Sequence, residues 1–252
     1  MPLSASGVDP EQRSITAAGR VPTVAPRPMT RDEIRRTVAD YARAARNAMK
    51  AGFDGVQIQA NYLYLLAQFL NRGTNRRTDE YGGGIEGRAR ILFEVIEAIL
   101  DDIEPAKVGV KLGPMHETGP FAANDETLPM AEYAIRELSG YGLSHLLMMG
   151  NTTDFTSTPL EPLMGDGMFR HFRPILRGTL IANVDMTAER GNRLIADGVA
   201  DLVAFGRPYI ANPDLVERLA TGAPLAETDW HSVYAAGRHG YADYPTLQRA
   251  LA

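Results

Sequence analysis

Five short apolar runs, at 55–59, 107–112, 144–149, 179–182 and 202–205, alternate with stretches whose apolar residues recur at helical spacing. Strand, helix, strand with short connections is the pattern of a parallel sheet built by right-handed crossovers. The first helix is announced by Thr30-Arg31-Asp32-Glu33, in which Glu33 stands three residues after a capping threonine. Ile34, Val38, Tyr41, Ala42, Ala45 and Met49 follow on one face, and Gly52 is the stop. Further helices are expected at 85–100, 125–141 and 168–176. Another, capped by Thr187, runs to about Ala196, and a last one is capped by Asn212 with Pro213 at its first position. Residues 1–29 read as an irregular arm and 228–252 as an irregular, aromatic tail. No repeat beyond the strand–helix unit and no low-complexity linker divides the chain, so a single domain over 1–252 is expected.

At 252 residues the chain can bury a sizeable core. Its formal net charge of −5 argues against affinity for nucleic acid, which needs a basic surface. The absence of cysteine removes disulfides and thiolate chemistry together. With no apolar run of membrane-spanning length and no secretory pattern at the N-terminus, a cytoplasmic protein without membrane contact is expected.

The stretch 52–81 carries the most chemistry. An apolar strand runs into Gln59, Tyr62 and Tyr64, and in parallel α/β proteins ligands bind where strands end. Several segments together resemble the Old Yellow Enzyme family, the FMN-dependent NAD(P)H:flavin oxidoreductases or ene-reductases. They are GFDGVQI at 52–58, YLLAQFL at 64–70, NRRTDEYGG at 75–83, EGRAR at 86–90, FGRPY at 205–209, ANPDL at 211–215 and GYADYP at 240–245. The resemblance spans almost the whole chain. It implies an α/β fold of the TIM (β/α)8 type, here an incomplete barrel whose five parallel strands correspond to the family's last five β/α units. An open barrel exposes two sheet edges, so a homo-oligomer or a partner chain covering them is expected.

The resemblance assigns roles to positions, and this chain departs at several. Where the family has a His and an Asn that bind the substrate carbonyl, Gln59 and Tyr62 stand; the proton-donating tyrosine is kept as Tyr64. Tyr64 reads either as a general acid or as a core tyrosine of an apolar helix. Lys111 takes the place of an arginine that supports reduced flavin, keeping the charge but losing the planar fork; its alternative is a strand-end lysine facing solvent or a carboxylate. The family's Asn-Gly-Gly at the FMN phosphate is Asn183-Val184-Asp185 here, which adds a branched side chain and an anion. Gly206 and Arg207 are kept and would hold a phosphate or other anion, unless Arg207 pairs with Asp185 and fills the place itself.

Among the five histidines no metal-ligand spacing occurs. His116, with Glu117 after the second strand, is a substrate-side acid/base candidate or a solvated loop pair. His145 reads as a hydrogen-bonded core residue. Together the departures imply a repurposed Old-Yellow-Enzyme-like protein without FMN. It would bind an oxygenated or unsaturated small molecule and carry out non-redox acid/base chemistry: isomerisation, cyclisation or dehydration. Two readings stay open beside it: an FMN-dependent ene-reductase completed by a partner chain, and a noncatalytic binding or assembly subunit.

Overall fold

The structure, a computed structural model, describes all residues except 17, 18, 114–118, 153, 159, 235, 236, 251 and 252, and sets aside the side chains of 249 and 250. Four short strands come first: β1 (Leu3–Ser4), β2 (Arg13–Thr16), β3 (Gly19–Pro22) and β4 (Arg27–Pro28). The main sheet follows as β5 (Val56–Ala60), β6 (Val108–Leu112), β7 (His145–Met149), β8 (Leu180–Asn183) and β9 (Leu202–Ala204). The helices in chain order are α1 (Arg31–Lys50), α2 (Leu65–Leu70), α3 (Ile85–Leu100), α4 (Thr127–Leu138), α5 (Gly167–Phe172), α6 (Ala188–Ala196), α7 (Arg207–Ala211), α8 (Leu215–Thr221) and α9 (Leu247–Ala250).

The five strands lie in sequence order, β5-β6-β7-β8-β9, and every pairing is parallel. Side chains alternate between the faces of a strand. One face carries Ile58, Ala60, Val108, Val110, Leu112, Leu146, Met148, Leu180 and Ala182, all buried with apolar residues of the surrounding helices in the main core. The other, inner face is half-open. Register places Gln57, Gly109 and His145 in one layer of it, and Gln59, Lys111, Leu147, Ile181 and Leu202 in the next. Met149, Asn183 and Ala204 form the layer at the strand ends. Gly109 has a packing reason: a Cβ there would lie 2.2 Å from the His145 ring.

The capping box before α1 forms as the spacing predicts. The Glu33 amide donates to Thr30 Oγ1 at 3.2 Å, and the Thr30 amide donates to Glu33 Oε2 at 2.8 Å. Two orphan donors of the first turn are thereby satisfied. Arg88, fully inside, explains part of the EGRAR segment. It donates to Leu70 O at 3.1 Å and to Glu126 Oε2 at 2.5 Å, joining α3 to the end of α2 and the start of α4.

Three expectations about elements need correction. The first 29 residues are not wholly irregular: β1 pairs with β4, and β2 with β3 as an antiparallel hairpin. Strands of two to four residues are too short for alternation to show in the sequence. The arm is also tied down, because Arg77 Nη1 donates to Ala5 O at 3.1 Å and to Met29 O at 2.6 Å. Asn212 does not cap a helix at 213. It follows α7, and its side chain bridges Pro208 O and the backbone of Ala226, while Asp214 is the residue preceding α8. The tail contains the short helix α9, whose Leu247 amide donates to Asp214 Oδ2 at 2.7 Å. No described helix is long and apolar enough to cross a membrane.

Candidate active site

The candidate residues gather at two places along the C-terminal ends of the strands. The first is at β5 and β6. Gln59 and Lys111 are direct register partners on the inner face, about 4.8 Å apart along the hydrogen-bonding direction. Gln59 is exposed and Lys111 half-buried, and neither side chain has a hydrogen-bond or ion-pair partner among the described residues. Two residues past β5, Tyr62 turns the chain through a left-handed conformation, φ +59°. Tyr64 is the residue before α2, in extended conformation. Its ring lies 5.7 Å from that of Tyr62 at a tilt of 49°, a separation at which offset aromatic pairs attract. Tyr64 is 55% exposed, so it is not the core tyrosine that an apolar helix suggested. Its hydroxyl has no hydrogen-bond partner among the described residues. His116 lies outside the described residues.

Asn61, between Gln59 and Tyr62, is a residue that reading the sequence did not single out. It is fully buried, donates to Met149 Sδ at 2.8 Å, and leaves Oδ1 without a partner among the described residues. An asparagine in a polar loop normally reads as solvent-facing, so no periodic signal marked it. One layer deeper, His145 Nε2 lies 2.9 Å from Gln57 Oε1 and its Nδ1 lies 2.8 Å from Ser144 Oγ. Burial pushes the His145 imidazole below the usual histidine range. The histidine is hydrogen-bonded as expected, but on the inner face rather than in the helix-packed core.

The second place is at β8 and β9, across the sheet from the tyrosines. Asn183 Nδ2 donates to Ala204 O at 2.9 Å and ties the two strand ends together. Val184 and Asp185 then follow with φ of +88° and +48°. Two consecutive non-glycine residues in the left-handed region are uncommon, and a β-branched one is costly there. Arg190 holds the turn. Its Nη1 donates to Val184 O at 2.9 Å and Asp185 O at 3.3 Å, and its Nε donates to Asp166 Oδ1 at 2.8 Å. The only sequence signal for Arg190 is its place three residues after the Thr187 cap, where its amide donates to Thr187 Oγ1. Arg207 and Asp185 do meet, with Nη1 3.2 Å from Oδ1.

The fold has counterparts in known proteins. Residues 4–226 match the model of the NADH:flavin oxidoreductase / NADH oxidase family. The chain belongs to this family, that of Old Yellow Enzyme. The Old-Yellow-Enzyme-family chain is 38% identical over 234 residues to putative 12-oxophytodienoate reductase 4 of Oryza sativa subsp. japonica, covering 88% of itself and 58% of that protein. It is 37% identical over 226 residues to 12-oxophytodienoate reductase 2 of Arabidopsis thaliana, covering 88% of itself and 59% of the relative. It therefore spans less than three fifths of these relatives' length. Among solved structures, the Old Yellow Enzyme homologue from Zymomonas mobilis superposes with a TM-score of 0.89 at 34% identity, over 98% of this chain and 68% of that one. Morphinone reductase superposes with a TM-score of 0.88 at 38% identity, over 99% and 67%. The five-stranded sheet thus corresponds to part of a barrel, as expected.

Family membership raises the question whether FMN fits the residues present. Its phosphate would stand at the loops after β8 and β9. There Arg207 already faces the Asp185 carboxylate, and Val184 projects a branched side chain from a left-handed backbone. Like unit charges 4 Å apart near a protein surface repel by about 4 kcal/mol before salt screening. Among the described residues, the Arg207 guanidinium at this loop is thus met by the Asp185 carboxylate.

Proposed function

We propose that this Old-Yellow-Enzyme-family chain binds an oxygenated or unsaturated small molecule at the ends of β5 and β6 and acts on it by acid/base chemistry without flavin. One observation carries the reading: the Tyr64 hydroxyl stands beside a strand end, and neither it nor the neighbouring Gln59 and Lys111 side chains have a partner among the described residues. A carbonyl or carboxylate oxygen would be polarised by the Lys111 ammonium and the Gln59 amide, both donors. Polarising an enone in this way acidifies its γ-carbon; that proton passes to solvent water, the Tyr64 hydroxyl delivers a proton to the α-carbon, and the phenolate recovers its proton from solvent, which is a net isomerisation. With a β-hydroxy carbonyl compound, the α-proton passes to water and the β-hydroxyl leaves as water on protonation by Tyr64, which is a dehydration.

The test uses α,β-unsaturated carbonyl compounds in D2O with neither NAD(P)H nor FMN added, followed by proton NMR. Deuterium exchange or isomer formation by the wild type is expected. It should fall about 100-fold in Tyr64→Phe, the scale on which a positioned acid or base contributes. Equal exchange by the two proteins would remove Tyr64 from the mechanism.

A second reading keeps the reductase activity of the family. It is favoured by the Gly206-Arg207 pair standing at the end of β9, and by homology to proteins named as reductases. In that reading a partner chain completes an FMN site. Turnover would then require NAD(P)H, and the assembled complex would be yellow.

A further inference from the structure

The loop after β8 holds a backbone that its own side chains disfavour. Val184 and Asp185 both sit at positive φ, a conformation L-residues enter at a cost unless their surroundings over-determine it. Those surroundings are identifiable. Arg190 binds the carbonyls of both residues and is itself held by Asp166, with side chains only 20% and 23% exposed. Asn183 fixes the preceding strand end against β9. The consequence is that the Asp185 carboxylate is delivered to Arg207, whose side chain is 74% exposed. An arginine fork that meets carboxylate also meets phosphate, in the same planar geometry.

We infer that this loop is a self-occupied anion site: Asp185 is the internal ligand of Arg207 and competes with the phosphate of a phosphate monoester. The inference concerns the far side of the sheet from Tyr64. It rests on the proposed function only in taking the wild-type chain to carry no flavin. No covalent step is involved, since one anion is exchanged for another at one cation.

Asparagine is the informative replacement at 185, because it keeps the size and tolerates left-handed backbone while removing the charge. The full chain is purified as wild type, Asp185→Asn, and Asp185→Asn combined with Arg207→Ala. Each is titrated with inorganic phosphate and separately with FMN, by calorimetry and by quenching of flavin fluorescence. Asp185→Asn is expected to bind both probes at least tenfold more tightly than wild type, and the double variant to return to the wild-type level. Circular dichroism melts confirm that the three proteins are equally folded. Equal phosphate affinity in wild type and Asp185→Asn overturns the inference, as does a gain that survives loss of Arg207. Wild-type protein that purifies with flavin already bound contradicts the proposed function instead. The effect of Asp185→Asn on phosphate is then still measured on protein stripped of flavin.

Discussion

Val184 is the residue whose replacement separates conformation from contact. It holds a β-branched side chain at φ +88°, where strain of about 1–3 kcal/mol is usual. Glycine at such a position costs about 0.4–1 kcal/mol through the unfolded state. Val184→Gly is therefore expected to raise stability by about 1 kcal/mol in urea unfolding, whereas most valine-to-glycine changes lower it. A loss of stability would mean that the valine side chain makes contacts worth more than the strain. His145 sets a pH dependence. Its folded pKa lies below the model-peptide value because burial disfavours the imidazolium. The unfolded chain binds more protons between the two pKa values, so stability rises with pH there and is lost as pH falls from about 6.5 through the folded pKa. His145→Gln should flatten that slope. Tyr81 acts at the other end. Burial, and its 2.9 Å hydrogen bond to Glu94, push its hydroxyl up to about 12. Its contribution is intact below the ordinary tyrosine pKa of about 10 and is lost as pH rises through about 12. Burial raises Tyr41, Tyr133 and Tyr141 as well, so absorbance at the tyrosinate band should show a late-titrating group of tyrosines that loses one member in Tyr81→Phe.

Elements with strong local signals form as the sequence predicts. α1 begins after the Thr30–Glu33 box and is followed by Gly52 at φ +91°, and α3 spans the expected 85–100. Thr30→Ala should cost about 0.5–2 kcal/mol, the range for a lost N-cap, measured by the shift in urea midpoint. The strands lie within a residue or two of the expected ranges, because each is a short stretch rich in β-branched and other apolar residues between helical segments. Met148, fully buried on the helix side of β7, should cost about 2–5 kcal/mol when replaced by alanine. What stayed hidden is equally physical. The five-residue α7 is too short for periodicity. Pro213 beside Asn212 imitates a helix start because the same residue types also stabilise a turn. At the site, Gln59 and Lys111 are legible because they lie near the ends of strands, and Tyr64 because the family resemblance marks its position. Asn61 and Arg190 were not, because a buried asparagine and a clamp between loops depend on neighbours distant in sequence.

At the scale of the whole molecule, β5 and β9 each have one neighbour in the main sheet among the described residues. Their outer backbone groups pair with no further strand among the described residues, and Leu202 on β9 is exposed. Such edges are normally covered or closed. A second copy or a partner chain is the expected cover, and light-scattering mass should exceed that of one chain; a stable monomer at micromolar concentration would contradict it. The inner face between these edges places Tyr64, Gln59 and Lys111 at one side and the Asp185–Arg207 pair at the other. In the proposed function the first group works while the second is closed to flavin phosphate. The most direct measurement is the visible absorption spectrum of the purified chain, alone and titrated with FMN, before and after NADH is added. No bound-flavin band and no NADH-dependent bleaching are predicted. A saturable flavin spectrum that NADH bleaches would contradict the flavin-free function.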